Sequence, residues 1–426
     1  MLDDKGSQIA APTKVTKKWL LKAELYITGG GVFYCRGSEL TGGDCDQLRI
    51  QSDGPDAYHE IRGHGGSMYF SHTVVTSWDT ARKKPQETYE GGRSFLNCVS
   101  EKTTGAKCDG AAKNNMGECR MDIINSEVGY LGFFDTESYG ITWKVRGFCK
   151  DLSNPGVFKT TNVYGNILNS DIHHNYYGHY SYGHQGGVWD NNKMHDNWQY
   201  GFDPHDDSDY LTISNNKVYN NVNHGIIASK RCNNLKIYNN EVYDGGPEAV
   251  GIFLHRSSDY AEVYDNHIHN MADAGIALLE SFNNIIKNNI VDGAEFGIRM
   301  SLGSGSNLVQ GNTFKGCTKY GVFTYMGSDP PDVSNGRPNS NRVLKNTFKK
   351  TPVGFKIKEA DKTFLNSNTF DSSTKEMEFY DAQDTTWYKN TVPAGTCIDN
   401  VVEDQDNTVK KSTFSKKTVG LPTKKC

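Results

Sequence analysis

From Gly178 onward the chain returns to the same pattern about every two dozen residues, and few folds can satisfy that. Aligned on one glycine, segments begin at Gly178, Gly201, Gly225, Gly251, Gly275, Gly297 and Gly321, in steps of 22 to 26 residues. An asparagine marks each segment too, at Asn169, Asn192, Asn216, Asn240, Asn266, Asn289 and Asn312, often in an N-N or D-N pair. It resumes at Asn346, Asn368 and Asn390 after the insertion SDPPDVSNGRPNSN. A sustained period of this length means stacked repeats. Each repeat reads as short strands, such as LTISNNKVYNN then HGIIASKR, without amphipathic helical periodicity. Leucine-rich repeats need an L-x-x-L-x-L consensus and propeller blades a longer period, so neither fits. The expected fold is all-β: a right-handed parallel β-helix, a solenoid of about three strands per coil. Glycine and asparagine are expected at its corners because they tolerate left-handed backbone angles. The asparagine column is placed to hydrogen-bond up the stack.

One β-helix domain is expected over residues 19–400, with a leader at 1–18, loop insertions near 82–115 and 328–341, and a tail at 401–426. The stretch 82–115 is expected to be an irregular loop held by Cys98, Cys108 and Cys119. Hydrophobic residues make up only 36% of the 426, which suits a narrow core with many turns. With 46 basic against 50 acidic residues, nothing global points to a nucleic-acid or membrane partner; a polyanion must meet a local basic patch. The ten cysteines include no C-x-x-C pair, which argues against zinc ribbons and redox motifs and for disulfides in an oxidising compartment. The start, MLDDKGSQIA, carries no hydrophobic signal core, so a secretory peptide is absent or has been removed. The expected location is outside the cell, in the matrix or cell wall, and the expected state is a monomer.

Strand alternation turns the repeat into a surface. The column after each glycine (Phe202, Ile226, Ile252, Ile276, Ile298, Val322) and the one two further on must face inward. Between them, Asp203, Phe253 and Arg299, and then His205, Ser229, His255 and Tyr325, face out. Asp206, Lys230, Arg256 and Glu280 sit just past the strand. Coils stack about 4.8 Å apart, which places His205 within reach of Tyr182 below and of Ser229 and Lys230 above. Lys144 holds the same outward position after Gly140. A strip of cations and aromatic rings suits an acidic polysaccharide, whose sugar faces stack on rings and whose carboxylates pair with Lys or Arg.

The run YGFDPHDDSDYLTI followed by NHGIIASKRC resembles the mannuronan C5-epimerases, most closely the brown-algal type. QGGVWDNNKMHDN, AVGIFLHRSSDY and TKYGVFTYMGSDPPDV share that look, and the resemblance spans roughly Leu48 to Asp332. It implies a right-handed β-helix that converts β-D-mannuronate to α-L-guluronate within intact alginate. It further implies His205 and Tyr200 as the proton-transfer pair, Asp203 in support, and Lys230 or Arg231 neutralising the substrate carboxylate. Some bacterial members carry an active-site lysine one coil upstream, where this chain reads HYSYGHQGG; Tyr180, Tyr182, His184 and Gln185 are the candidates for that place. Asp206, Phe253, His255, Arg256, Arg299, Tyr325 and Lys144 complete the expected substrate-binding set. The calcium-binding nonapeptide repeats of secreted bacterial members are absent, and no cofactor is called for. His173, His174, His195, His267 and His269 read as structural rather than as metal ligands.

The chemistry explains the residue types. The C5 proton of a uronate is weakly acidic because the adjacent carboxylate is already negative, so pairing with Lys230, Arg231 or Arg256, or with a protonated Asp203, would stabilise the enolate-like dianion. Histidine is the natural base near neutrality, and a phenol on the opposite ring face can return the proton. A polyuronate lyase shares the first half and then expels the C4 oxygen. A non-catalytic glycan-binding β-helix would use the same strip for affinity alone.

Overall fold

The computed structural model describes residues 15–90, 92–101, 116–135, 137–146, 161–399 and 424–426. Cys108, Cys149, most of the expected leader and most of the expected tail lie outside these residues. The fold is a right-handed parallel β-helix, with strands and turns and no α-helix among the described residues. The chain divides into two compact units, residues 1–222 and 223–426.

In the first unit, Lys18–Leu21, Leu25–Thr28 and Val32–Arg36 make the first coil. Each strand founds one sheet, joined in parallel by Gln47–Gln51, Glu60–His64 and Ser67–Ser71 of the next coil. The second of these sheets continues through Phe95–Glu101, Gly140–Arg146 and Tyr177–Tyr182 to Phe202–His205. Phe95–Glu101 falls inside the expected 82–115 loop, yet all seven of its residues are buried in this sheet. In the second unit the corresponding sheet runs from Ile226–Ser229 through Ile252–His255, Ala274–Leu279 and Phe296–Ser301 to Tyr320–Tyr325 and beyond.

The inward column is as expected: Phe202, Ile226, Ile252, Ile276, Ile298 and Val322 are all fully buried. Each such side chain contributes about 1.5–3 kcal/mol by leaving water. The corner chemistry differs from expectation for glycine. The repeat glycines are not left-handed; they are small because coils pack tightly there. A Cβ on Gly251 would lie 2.5 Å from Ile268 Cγ2, and one on Gly297 would lie 2.5 Å from Phe314 Cδ1. The left-handed corner belongs to the first residue of each N-N pair, as at Asn191 (φ 57°), Asn215 (φ 55°) and Asn288 (φ 56°).

The second asparagine of each pair turns inward and builds a ladder. In the second unit Asn240, Asn266, Asn289, Asn312, Asn346 and Asn368 each donate Nδ2 to the next Oδ1, the last to that of Asn390, over 2.8–3.0 Å. In the first unit Asn192 bonds Asn216 in the same way, but the coil before it uses Ser170, whose backbone N donates to Asn192 Oδ1. Asn169, expected in the column, is instead the left-handed residue beside it (φ 54°).

Among the described residues, three disulfides join Cys35 to Cys45, Cys98 to Cys119 and Cys397 to Cys426. Cys232 and Cys317 are buried and take no part in these disulfides.

Candidate active site

The short strand Phe202–His205 pairs in register with the coil before it, setting Asp203 beside Tyr180, Pro204 beside Ser181 and His205 beside Tyr182. Pro204 is buried, and having no N–H it gives up a ladder donor. The chain then turns through two consecutive left-handed residues that are not glycine, Asp206 (φ 29°) and Asp207 (φ 58°). Such a backbone is costly and persists only where its surroundings hold it. Here Gly183 N donates to Asp206 O at 2.9 Å, Gln185 Nε2 to Asp207 O at 2.7 Å, and Ser208 Oγ to His205 O at 2.8 Å.

The turn brings Asp206 Oδ2 to 2.6 Å from His205 Nδ1. A carboxylate at Nδ1 favours a proton there and leaves Nε2 as the basic nitrogen. The imidazole points outward and is half-buried, with its ring 5.4 Å from that of Tyr180. Asp203 also lies in the outward column but is only 1% exposed, because tyrosines cover it. Tyr139 packs on Tyr177 at 4.8 Å and on Tyr180 at 4.9 Å, and Tyr177 on Tyr200 at 5.3 Å. Burial, and next the charge of Asp203, push all four phenols upward, Tyr200 to about 12. These hydroxyls therefore remain protonated donors at neutral pH. Tyr139 and Tyr177 are additions to the expected site. Their signal was present in the Y-G dipeptides at 139–140 and 177–178, which repeat the one at 200–201.

One coil further back, Lys144 Nζ lies 2.9 Å from Glu137 Oε1 and 5.8 Å from the Tyr182 ring. Burial, and then the charge of Arg62, lower its basicity. Glu137 also accepts from Arg146 Nε at 2.7 Å and lies 3.7 Å from Arg62. Glu137 thus holds Lys144 and Arg146, while Arg62 pairs more closely with Glu60, at 2.8 Å. Arg62, Arg146 and Glu137 were not anticipated.

Two expected substrate contacts fall elsewhere. His184 is fully buried, packed against Trp143 and Trp189 with ring centroids 5.9 and 6.0 Å away, and burial lowers its pKa to about 3. The turn that follows Tyr182 carries it back into the core, so it leaves the substrate-binding set. Gln185 braces the Asp207 turn through its side chain.

The second unit has its own outward strip. Lys230 is exposed and Arg231 half-buried, both left-handed at φ 60° after Ile226–Ser229. A cleft of about 640 Å³ is lined by His224, Phe253, His255, Arg299, Tyr325 and Asp329 among others. Arg299 pairs with Asp273 at 2.9 Å, and Tyr325 stacks on Phe323 at 4.4 Å. His224 accepts from Val250 N at Nδ1, and its pKa is lowered to about 3, by burial first.

Arg256 is covered by the 328–341 insertion. It contacts Asp332 at 3.0 Å, Glu280 at 3.4 Å and Asp329 at 3.7 Å. Glu280 itself is fully buried and accepts from the backbone of Asp332, Val333 and Ser334 and from Ser334 Oγ, all at 2.8–2.9 Å. Burial pushes this carboxyl up, but those donors outweigh it and hold it below its ordinary 4.5. The anchorage is therefore complete above that pH and fades as pH falls through the acid range. Glu280→Gln is expected to cost about 2 kcal/mol of stability and to speed proteolysis within residues 328–336. Cleavage at the wild-type rate would show that the loop is held by something else.

The family described as "right handed beta helix region" matches residues 148–258 and 206–337. No curated protein matches the chain. Among solved structures, the periplasmic alginate epimerase AlgG is similar over 89% of this chain and 79% of its own, with TM-score 0.63 at 21% identity. The A-module of the mannuronan C-5 epimerase AlgE4 of Azotobacter vinelandii is similar over 91% of each chain, with TM-score 0.51 at 13% identity. At these identities the likeness establishes the fold.

Proposed function

We propose that this β-helix is a polysaccharide C5-epimerase that converts β-D-mannuronate to α-L-guluronate within alginate. The observation that carries this reading is the His205–Asp206 pair on the outer face, beside a buried Asp203 ringed by four protonated phenols. His205 Nε2 takes the C5 proton, and the electron pair left on C5 spreads into the carboxylate. That charge is met by a cation: Lys144 lies 5.8 Å from the Tyr182 ring, and the sequence repeat offers Lys230 or Arg231 for the same role. Tyr200 gives its phenolic proton to C5 from the opposite face, and the imidazolium proton restores the phenol through solvent. With Tyr200 raised to about 12, the donor stays loaded through the mildly alkaline range. Asp203 keeps the phenols protonated and is itself no proton carrier in this scheme.

The test is proton NMR of polymannuronate incubated with the protein in deuterated water. Guluronate signals should appear, with deuterium at C5 and no ultraviolet absorbance from an unsaturated uronate. Unsaturated ends would replace the epimerase by a lyase; binding without isotope uptake would leave a glycan-binding protein. Tyr200→Phe is expected to lower kcat about 10²-fold with KM nearly unchanged, whereas Tyr180→Phe should act mainly on KM. The reverse pattern would move the donor role to Tyr180.

The three disulfides accord with an oxidising, extracytoplasmic compartment. Secretion to a cell wall or matrix, and action as a monomer, belong to the same proposal.

A further inference from the structure

On a different sheet of the second unit, strands Glu241–Tyr243 and His267–His269 pair in parallel, with Glu241 opposite His267 and Tyr243 opposite His269. Val242 and Ile268 fill the core, so alternation sends Glu241, His267 and His269 out on one face. The two imidazoles lie 4.7 Å apart, and His269 Nε2 is 3.3 Å from Glu241 Oε1. One ligand atom from each of the three falls within 4.8 Å of the others. Tyr243 stacks on the His269 ring at 4.7 Å and 6°, which fixes its plane.

We infer that Glu241, His267 and His269 form a binding site for a late first-row divalent cation, of which Zn²⁺ is the representative. The donor set is two imidazole nitrogens and one carboxylate oxygen, which suits such ions and leaves a fourth position to water. Metal–ligand bonds of about 2.0–2.1 Å in a tetrahedron put neighbouring donor atoms about 3.3 Å apart. The Glu241–His269 pair already has that spacing. His267 is exposed, so a rotamer change brings it in without moving the backbone. Calcium, which wants six or more oxygens, does not fit. The similar histidine column of the first unit is closed to metal, because His195 faces Asp171 at 2.8 Å through one ring nitrogen and Asp196 at 2.6 Å through the other. The site replaces the reading of His267 and His269 as merely structural. Its sheet is not the one that carries His255 and Arg299, and none of the three residues has a part in the proposed epimerase chemistry. A bound ion would clip two successive coils together from outside.

The experiment is calorimetric titration of the full chain, stripped with chelator, with Zn²⁺ at pH 7.5, in parallel with the His267→Ala/His269→Ala double variant. One equivalent should bind to the wild type and raise its melting temperature. The double variant should bind at least tenfold more weakly while its metal-free melting is unchanged. Ca²⁺ should give no saturable heat that the double variant loses. Cu²⁺ used as a spectroscopic probe should show hyperfine coupling to two nitrogens. No uptake by the wild type, or equal uptake by both proteins, overturns the assignment.

Discussion

Replacing His205 by glutamine is expected to lower kcat about 10³-fold, with little change in polymer affinity or melting temperature. Glutamine keeps a hydrogen-bonding side chain of similar reach but has no basic nitrogen. The imidazole is half-buried on the outer face, so the core does not depend on it. Its surroundings are arranged around proton transfer: Asp206 at Nδ1, the Tyr180 ring at 5.4 Å, and a turn held by bonds from Gly183, Gln185 and Ser208. Isotope exchange at C5 is the measurement to make, since it reads proton abstraction even if turnover is limited elsewhere. If exchange in the variant stayed within tenfold of the wild type, another group would have to be the base.

The largest stability effect is expected at Asn289→Ala, deep in the asparagine ladder. Asn289 Nδ2 donates to Val263 O at 2.9 Å and to Asn312 Oδ1 at 3.0 Å. Its Oδ1 accepts from Asn266 N at 3.0 Å and Asn266 Nδ2 at 2.9 Å. Alanine strands donors and acceptors on both neighbouring coils in a fully buried place. With each orphaned group costing about 1–3 kcal/mol, the loss should reach about 3–5 kcal/mol, read as a fall in Tm of about 10 °C. Asn169→Gly removes an asparagine from the same sequence pattern but keeps the left-handed corner, and should change stability by less than about 0.5 kcal/mol. Equal losses at the two positions would mean that the ladder is not what holds the coils.

The period, the strand content and the inward column were legible because glycine, asparagine and β-branched residues return in phase at each coil. The reasons behind the markers were less so. A glycine needed for a left-handed angle and one needed for close packing look alike in sequence; Gly251 and Gly297 are of the second kind. The outward side of His205 could be read by counting in twos along one strand. His184 could not, because counting in twos fails across the turn that separates it from Tyr182, and it lies between two tryptophans. The phenol ring around Asp203 depends on stacking Tyr139 over Tyr177, residues whose sequence separation breaks the regular period. Phe95–Glu101 was hidden in the same way, a mixed run, FLNCVSE, in a stretch without repeats.

Asn312 and Asn346 are 34 residues apart, against 22 or 23 for neighbouring rungs, yet their amides meet at 3.0 Å as the others do. The extra residues leave at a corner and return to the same rung. Chain length in such a protein is therefore set by two separate rules. Segments added at a corner can be of any size, whereas segments added within a rung-to-rung span must amount to a complete turn of the solenoid. Homologous chains that differ by insertions or deletions should accordingly show ragged differences at corners and whole-turn differences everywhere else.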